Sequence, residues 1–162
     1  MQTYTQADYD SFPVVAGMKQ CPSGDYSQII VFAARCSFGE WCRFGEGCSF
    51  GERCSFGEGC RFEGCSFGER CRFDEGCRFE GYPAKPGYPF LTFGGGGSEN
   101  RTVYCFNTTN GLIFKAGCFT GNTDEFVEKV LADDETENKS SIKTRQYMGF
   151  VELCNITFGD SK

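Results

Sequence analysis

Between Cys36 and Phe79 the chain spells Cys-x-Phe eight times, and the eight cysteines (Cys36, Cys42, Cys48, Cys54, Cys60, Cys65, Cys71, Cys77) are six residues apart except for a step of five from Cys60 to Cys65. A short fixed period means stacked, near-identical units. Six does not match the 3.6 residues per turn of an α-helix. It does match extended chain, in which alternate side chains share a face. Cys and Phe, two apart, therefore point one way, and the intervening Ser or Arg points the other. Gly follows most of the phenylalanines (Gly39, Gly45, Gly51, Gly57, Gly68), usually with Glu after it. Glycine in a fixed slot indicates a corner that needs positive φ or a close backbone approach.

A longer period lies over the first. The outward residue is Arg at 43, 61 and 78, and the last residue of the hexad is Arg at 35, 53 and 70, both every third unit. Three hexads per coil would stack such residues in columns about 4.8 Å apart, the strand spacing. The expected fold is mainly β, a short three-sided parallel β-helix of about three coils over residues 30–93, with Ile30–Arg35 in the same frame and Tyr88-Pro89-Phe90 as a degraded last rung. Both ends of so short a solenoid need cover. Residues 1–29, with a short strand at Pro13-Val14-Val15 and a turn over Cys21–Tyr26, are expected to cap the first rung.

After a Gly94–Ser98 linker, residues 99–158 are expected to form an α+β module of a hairpin and two helices. Thr102–Phe106 alternates, Asn110-Gly111 is a hairpin turn signal, and Leu112–Ala116 returns. Asn122-Thr-Asp-Glu125 has the form of a capping box. It opens a helix with Phe126, Val127, Val130 and Leu131 on one face, followed by a polar loop at Asp133–Asn138. A second helix near 140–155 offers Ile142, Gln146, Phe150, Leu153 and Cys154.

Composition narrows the chemistry. The chain has no His, so Ser-His-Asp and Cys-His catalysis are ruled out. Its 12 cysteines lack the short spacings of zinc sites. Eight of them obey the repeat and are expected as small buried apolar groups, with no cofactor and no metal. Gly94–Gly97 lacks the Lys-Ser/Thr of a phosphate-binding loop. No 18-residue apolar run or signal-peptide core occurs, which gives the expectation of a cytoplasmic protein that does not meet a membrane. The net charge of −6 argues against direct nucleic-acid binding. Arg43, Arg61 and Arg78 form a candidate anion-binding ladder. Glu40, Glu58 and Glu75, each three residues before one of them, are expected to neutralise it.

The small-x-large-Gly pattern over 36–81 resembles the hexapeptide repeat of left-handed parallel β-helices, with Cys in the small slot and Phe in the bulky one. A right-handed coil of similar repeats is the alternative. The acyltransferases of that family employ a His base and a long, trimer-forming coil, so the resemblance does not carry their activity here beyond a degenerate, acyltransferase-like relic. The chain is also similar to short Cys/Phe hexapeptide-repeat proteins of bacteriophages and prophages, with a like Pro22-Ser-Gly-Asp-Tyr-Ser27 approach and hairpin-helix tail. That similarity implies binding of host machinery. Pentapeptide-repeat proteins, cousins in architecture, include acidic rods that imitate nucleic acid.

The expectation is therefore a non-catalytic protein that binds and inhibits a host complex, such as a nucleic-acid-processing defence system of the CRISPR kind. Its contact residues would be Trp41, Glu40, Glu46, Glu52, Glu58 and Glu69. The alternative is a structural, virion-associated homo-oligomer.

Overall fold

The computed structural model describes residues 1–94, 102–137 and 141–159. It divides into two compact units, Met1–Pro89 and Phe90–Lys162.

In the first unit, helix α1 (Gln6–Ser11) is followed by strands β1 (Val14–Val15), β2 (Met18–Cys21), β3 (Asp25–Tyr26), β4 (Val31–Phe32) and β5 (Cys36–Phe38). Then come β6 (Arg43–Phe44), β7 (Ser49–Phe50), β8 (Ser55–Phe56), β9 (Arg61–Phe62), β10 (Ser66–Phe67), β11 (Arg72–Phe73), β12 (Arg78–Phe79) and β13 (Tyr82–Pro83). These strands form three sheets, ordered β1-β2-β5-β8-β11, β10-β7-β4 and β13-β12-β9-β6-β3. Within them β2-β5-β8-β11, β4-β7-β10 and β3-β6-β9-β12 pair in parallel, each strand with the strand three later. The result is a three-sided β-solenoid of about four turns rather than three. The extra turn comes from β2 and β3, before residue 30, where Cys21 and Tyr26 stand in register with Phe38 and Phe44. A Cys-x-Phe search misses them because neither matches the motif.

Every repeat Cys and Phe is buried. In each coil the three rings meet edge to face, as Phe38 on Phe44 at 5.1 Å and 89° and Phe44 on Phe50 at 4.9 Å and 90°. Along the axis each ring lies parallel to the one above it, as Phe32 on Phe50 at 4.8 Å and 9°. Both arrangements suit the ring quadrupole, so the bulky slot holds a pinwheel that repeats without loss of fit.

The glycines after Phe serve close approach and not positive φ. A Cβ on Gly57 would lie 2.8 Å from the carbonyl carbon of Gly39 one coil away, and one on Gly51 2.4 Å from the Ala34 nitrogen. Positive φ falls two residues later, at Arg35, Trp41, Arg53 and Arg70 (φ 57–64°) and at Gly47, Gly59, Gly64 and Gly76.

The first rung is covered by α1 and its flanks. Thr5 and Asp8 form a capping box: the Asp8 amide donates to Thr5 Oγ1 at 3.2 Å and the Thr5 amide to Asp8 Oδ2 at 2.8 Å. Lys19 Nζ donates to the carbonyls of Tyr9 and Phe12 at the other end of the helix (3.0 and 3.3 Å). Tyr9 then sits edge-on to Phe32 and Tyr4 stacks on Tyr26. At the far end β13 turns back antiparallel on β12, and Gly87 bridges to Phe73.

In the second unit, β14 (Phe90–Phe93), β15 (Val103–Thr108), β16 (Gly111–Ala116) and β17 (Phe119–Asn122) form an antiparallel meander, followed by α2 (Thr123–Glu137) and α3 (Ser141–Phe158). Phe90–Phe93, expected to end the solenoid, instead pairs with β15, Phe90 opposite Phe106. The hairpin loop is Thr109-Asn110, and Gly111 takes the positive φ of 98°, as in a turn followed by a glycine bulge. The capping box is present: the Glu125 amide donates to Asn122 Oδ1 at 2.9 Å and the Asn122 amide to Glu125 Oε1 at 2.8 Å. Phe126 and Val130 are buried, Val127 packs beside them, and Leu131 is exposed.

α2 continues through Asp133 to Glu137, where a loop was expected. On α3 the packed residues are Tyr147, Phe150, Val151, Cys154 and Phe158, whereas Gln146 and Leu153 face water. The stripe runs at i, i+3, i+4 and i+7 from Tyr147, so Phe150 and Cys154 pack as expected while Gln146 and Leu153 give way to Tyr147 and Val151. The Ile142 side chain and the Gly95–Ser98 part of the linker lie outside the described residues.

Candidate interaction surface

The charged residues expected to make contacts fall at the solenoid's corners, and there are three corners. The first, between β5 and β6 and their counterparts, carries Glu40-Trp41, Glu58-Gly59 and Glu75-Gly76. The second, between β6 and β7, carries Glu46-Gly47 and Glu63-Gly64; the third, between β7 and β8, carries Glu52-Arg53 and Glu69-Arg70. Backbone bonds tie each corner to the next coil, as Trp41 N–H to the Glu58 carbonyl (2.7 Å) and Arg53 N–H to that of Glu69 (2.9 Å). Glu40, Glu58 and Trp41 therefore share one edge. Glu46 lies on a second edge, and Glu52 and Glu69 on a third. The six residues do not form one patch.

Trp41 is 58% exposed at φ 57°, a left-handed conformation that the equivalent Gly59 and Gly76 adopt without strain. Its ring lies over Gly59, where an added Cβ would meet the indole Cε3 at 2.2 Å. The indole is thus fixed by the coil beneath while its other face is left open.

Arg43, Arg61 and Arg78 do form a column on the β6-β9-β12 face, in direct register. Its end is met by Asp25, opposite Arg43, at a long 4.0 Å between Nη1 and Oδ2. The Asp25 carboxyl is held below its usual range by the Ser27 hydroxyl and amide, with a smaller contribution from Arg43. Among the described residues no ion pair joins Glu40 to Arg43, Glu58 to Arg61 or Glu75 to Arg78. The expected neutralisation fails because the carboxylates stand on the corner and the arginines on the flat face.

The thiols do more than fill space. Cys54, Cys60, Cys65, Cys71 and Cys77 each donate to a carbonyl one coil back, those of Ala33, Gly39, Gly45, Gly51 and Gly57, at 3.3–3.7 Å. The carbonyl of the close-approach glycine, or of Ala33 in the same slot, thus gains a donor that an alanine in the cysteine slot could not supply. Thiols one coil apart also act on one another's ionisation. Cys60 is pushed up by its bonds with Cys42 and Cys77 and by burial, and Cys42 is drawn down by its bond with Cys60. Burial among phenyl rings acts upward on both, and with no cation inside the column it keeps them as thiols. All 12 cysteines are free, and only Cys118 is exposed. Among the described residues no group of three or more potential ligands could hold a metal ion, and no helix is long and apolar enough to cross a membrane.

The fold and surface define a capped three-sided β-solenoid joined to a sheet-and-helix unit. No protein-family model, no curated protein and no solved structure matches this chain.

Proposed function

We propose that the protein is a non-catalytic binding protein of the host cytoplasm, and that its solenoid presents the Glu40–Trp41–Glu58 edge to a basic surface of a macromolecular complex and blocks it. The reading rests on Trp41. A bulky residue in a left-handed conformation costs on the order of 1–2 kcal/mol, and exposing an indole gives up its burial as well. Strain of this kind gathers at functional sites, and Trp is enriched among the residues that dominate binding energy. Carboxylates stacked beside it would speed encounter with a basic partner. Assignment to the hexapeptide-repeat, left-handed class and a phage or mobile-element origin belong to the same proposal, as does a defence complex of the nucleic-acid-processing kind as the target.

The test is capture from bacterial lysate on immobilised full chain, using wild type, Trp41→Ala and Glu58→Lys. The expected result is one complex held in stoichiometric amount by wild type and lost with either variant. Equal recovery on all three, or none on wild type, overturns the reading.

A second reading, a self-assembling structural protein, is favoured by one feature: Val14, Val15, Ile30 and Val31 are 58–65% exposed. Sedimentation of the purified chain tests it, with a concentration-dependent oligomer as the expected result.

A further inference from the structure

The third corner carries a feature that the acidic reading does not use. Arg35, Arg53 and Arg70 occupy the same slot in three successive coils, linked by Arg35 N–H to the Glu52 carbonyl (2.9 Å) and Arg53 N–H to the Glu69 carbonyl (2.9 Å). They form a column about one strand spacing, roughly 4.8 Å, from coil to coil. All three have left-handed backbones, φ 61°, 62° and 64°. At the first corner the second and third coils put glycine in the equivalent slot. Here no coil does.

Three cations this close lie within a Debye length of one another, about 8–10 Å, and repel. Among the described residues no carboxylate pairs with Arg35, Arg53 or Arg70. Among the described residues the column therefore carries backbone strain and a charge repulsion that no ion pair offsets, although Glu52 and Glu69 stand beside it on the same corner.

The column lines a groove of about 580 Å³, whose wall also includes Arg72, Ser55 and Tyr88. Among the described residues no acidic side chain lines it. Arg72, one strand further on, adds a fourth guanidinium, although its Nη1 also meets Asp74 Oδ1 at 3.3 Å. Tyr88 is 62% exposed. The volume is that of a small-molecule site, roughly 300–1,000 Å³. Guanidinium forks match phosphoryl oxygens two at a time, and a ligand with several linked phosphates can meet successive rungs at once.

We propose that this groove binds an oligophosphate, the phosphates lying along Arg35, Arg53 and Arg70 with Arg72 at the side. This site is independent of the Trp41 edge, and either can fail without the other.

The test is calorimetric titration of the full chain with inorganic triphosphate at low salt. Saturable one-to-one binding is expected, weakening as salt rises and at least tenfold tighter than orthophosphate. Arg53→Gly, which relaxes the left-handed corner, should lower the affinity at least tenfold while the fold persists. Arg53→Asn, which also tolerates that conformation, should do the same. Lys85→Ser, an exposed cation outside both arginine columns, should bind as wild type. Absence of binding at low salt overturns the proposal, as does an equal loss with Lys85→Ser. An oligoglutamate peptide of matched charge that binds as tightly overturns the phosphate assignment.

Discussion

Phe38 and Phe56, one coil apart, lie ring on ring with 5.2 Å between centroids and 2° between planes. Phe73 continues the stack below Phe56 at 4.9 Å and 8°. Phe56 also meets Phe44, Phe50, Phe62 and Phe67 edge-on. A ring in the middle coil is thus held on every side. Phe56→Ala is expected to cost roughly 3–5 kcal/mol, the usual range for a buried phenylalanine. Urea unfolding followed by fluorescence of Trp41, the sole Trp, reads the solenoid unit directly. A loss below about 1 kcal/mol would contradict a packed pinwheel.

Two slots of the hexad respond in opposite senses to the same pair of residue types. Gly57→Ala places a methyl 2.8 Å from the Gly39 backbone, with no flexible side chain to move aside, and is expected to cost roughly 1–3 kcal/mol through overpacking. Arg53→Gly relieves a left-handed corner, against the greater unfolded-state entropy of glycine, and should leave stability unchanged or raise it by up to about 1 kcal/mol. Comparing the two urea midpoints checks the assignment. A fall for Arg53→Gly as large as that for Gly57→Ala would mean that the positive-φ slot has been misplaced.

The solenoid was legible because its signal is periodic. Cys-x-Phe gives the inward face, and the 18-then-17 spacing of Arg43, Arg61 and Arg78 gives the coil. What the sequence concealed was aperiodic. Cys21 and Tyr26 carry the first turn without the motif, and α1 was announced only by Thr5-x-x-Asp8. The glycine slot was visible, but spacing alone cannot separate close approach from positive φ. The candidate edge was half legible. Periodicity places Glu40 and Glu58 in one column, yet a list of outward acids does not show that Glu46, Glu52 and Glu69 stand at other corners. On α3 Phe150 and Cys154 were legible, whereas Leu153 misled because it is apolar and nevertheless exposed.

The buried thiols give a signed pH dependence. Unfolded, a cysteine ionises near pH 8.5 and a tyrosine near 10. Folded, Cys54 is raised by its bonds to Cys36 and Cys71 and by burial. Burial is the first cause raising Tyr26 and Tyr9. At Cys54, Tyr9 and Tyr26 the native state thus keeps protons that the unfolded chain releases, whereas Cys42, Cys48, Cys71 and Cys77 are drawn down first by their thiol partners. The contribution of the three raised groups is full below about pH 8.5 and is lost as pH rises past it, with the tyrosine share going above about 10. Urea midpoints at increasing pH should trace this decline, and a flat profile to pH 10.5 would contradict it. At neutral pH an aromatic disulfide reagent should titrate one thiol per native chain, Cys118, and all 12 after denaturation.

The cap is open to a graded test. Tyr9 is 4% exposed; its hydroxyl lies 3.0 Å from Cys36 Sγ and accepts from the Ala33 amide at 2.9 Å, while its ring sits edge-on to Phe32. Tyr9→Phe keeps the ring and removes the hydroxyl, at a cost of roughly 1–3 kcal/mol, because the Ala33 amide loses its acceptor. Tyr9→Ala also uncovers Phe32 on the top rung, where the unpaired end of a solenoid invites stacking on a second copy. Tyr9→Phe should remain in the wild-type association state, and Tyr9→Ala should shift to larger species as concentration rises. Sedimentation of the three chains side by side distinguishes a cap that only adds stability from one that also blocks end-to-end assembly. Identical profiles for Tyr9→Ala and wild type would refute the second role.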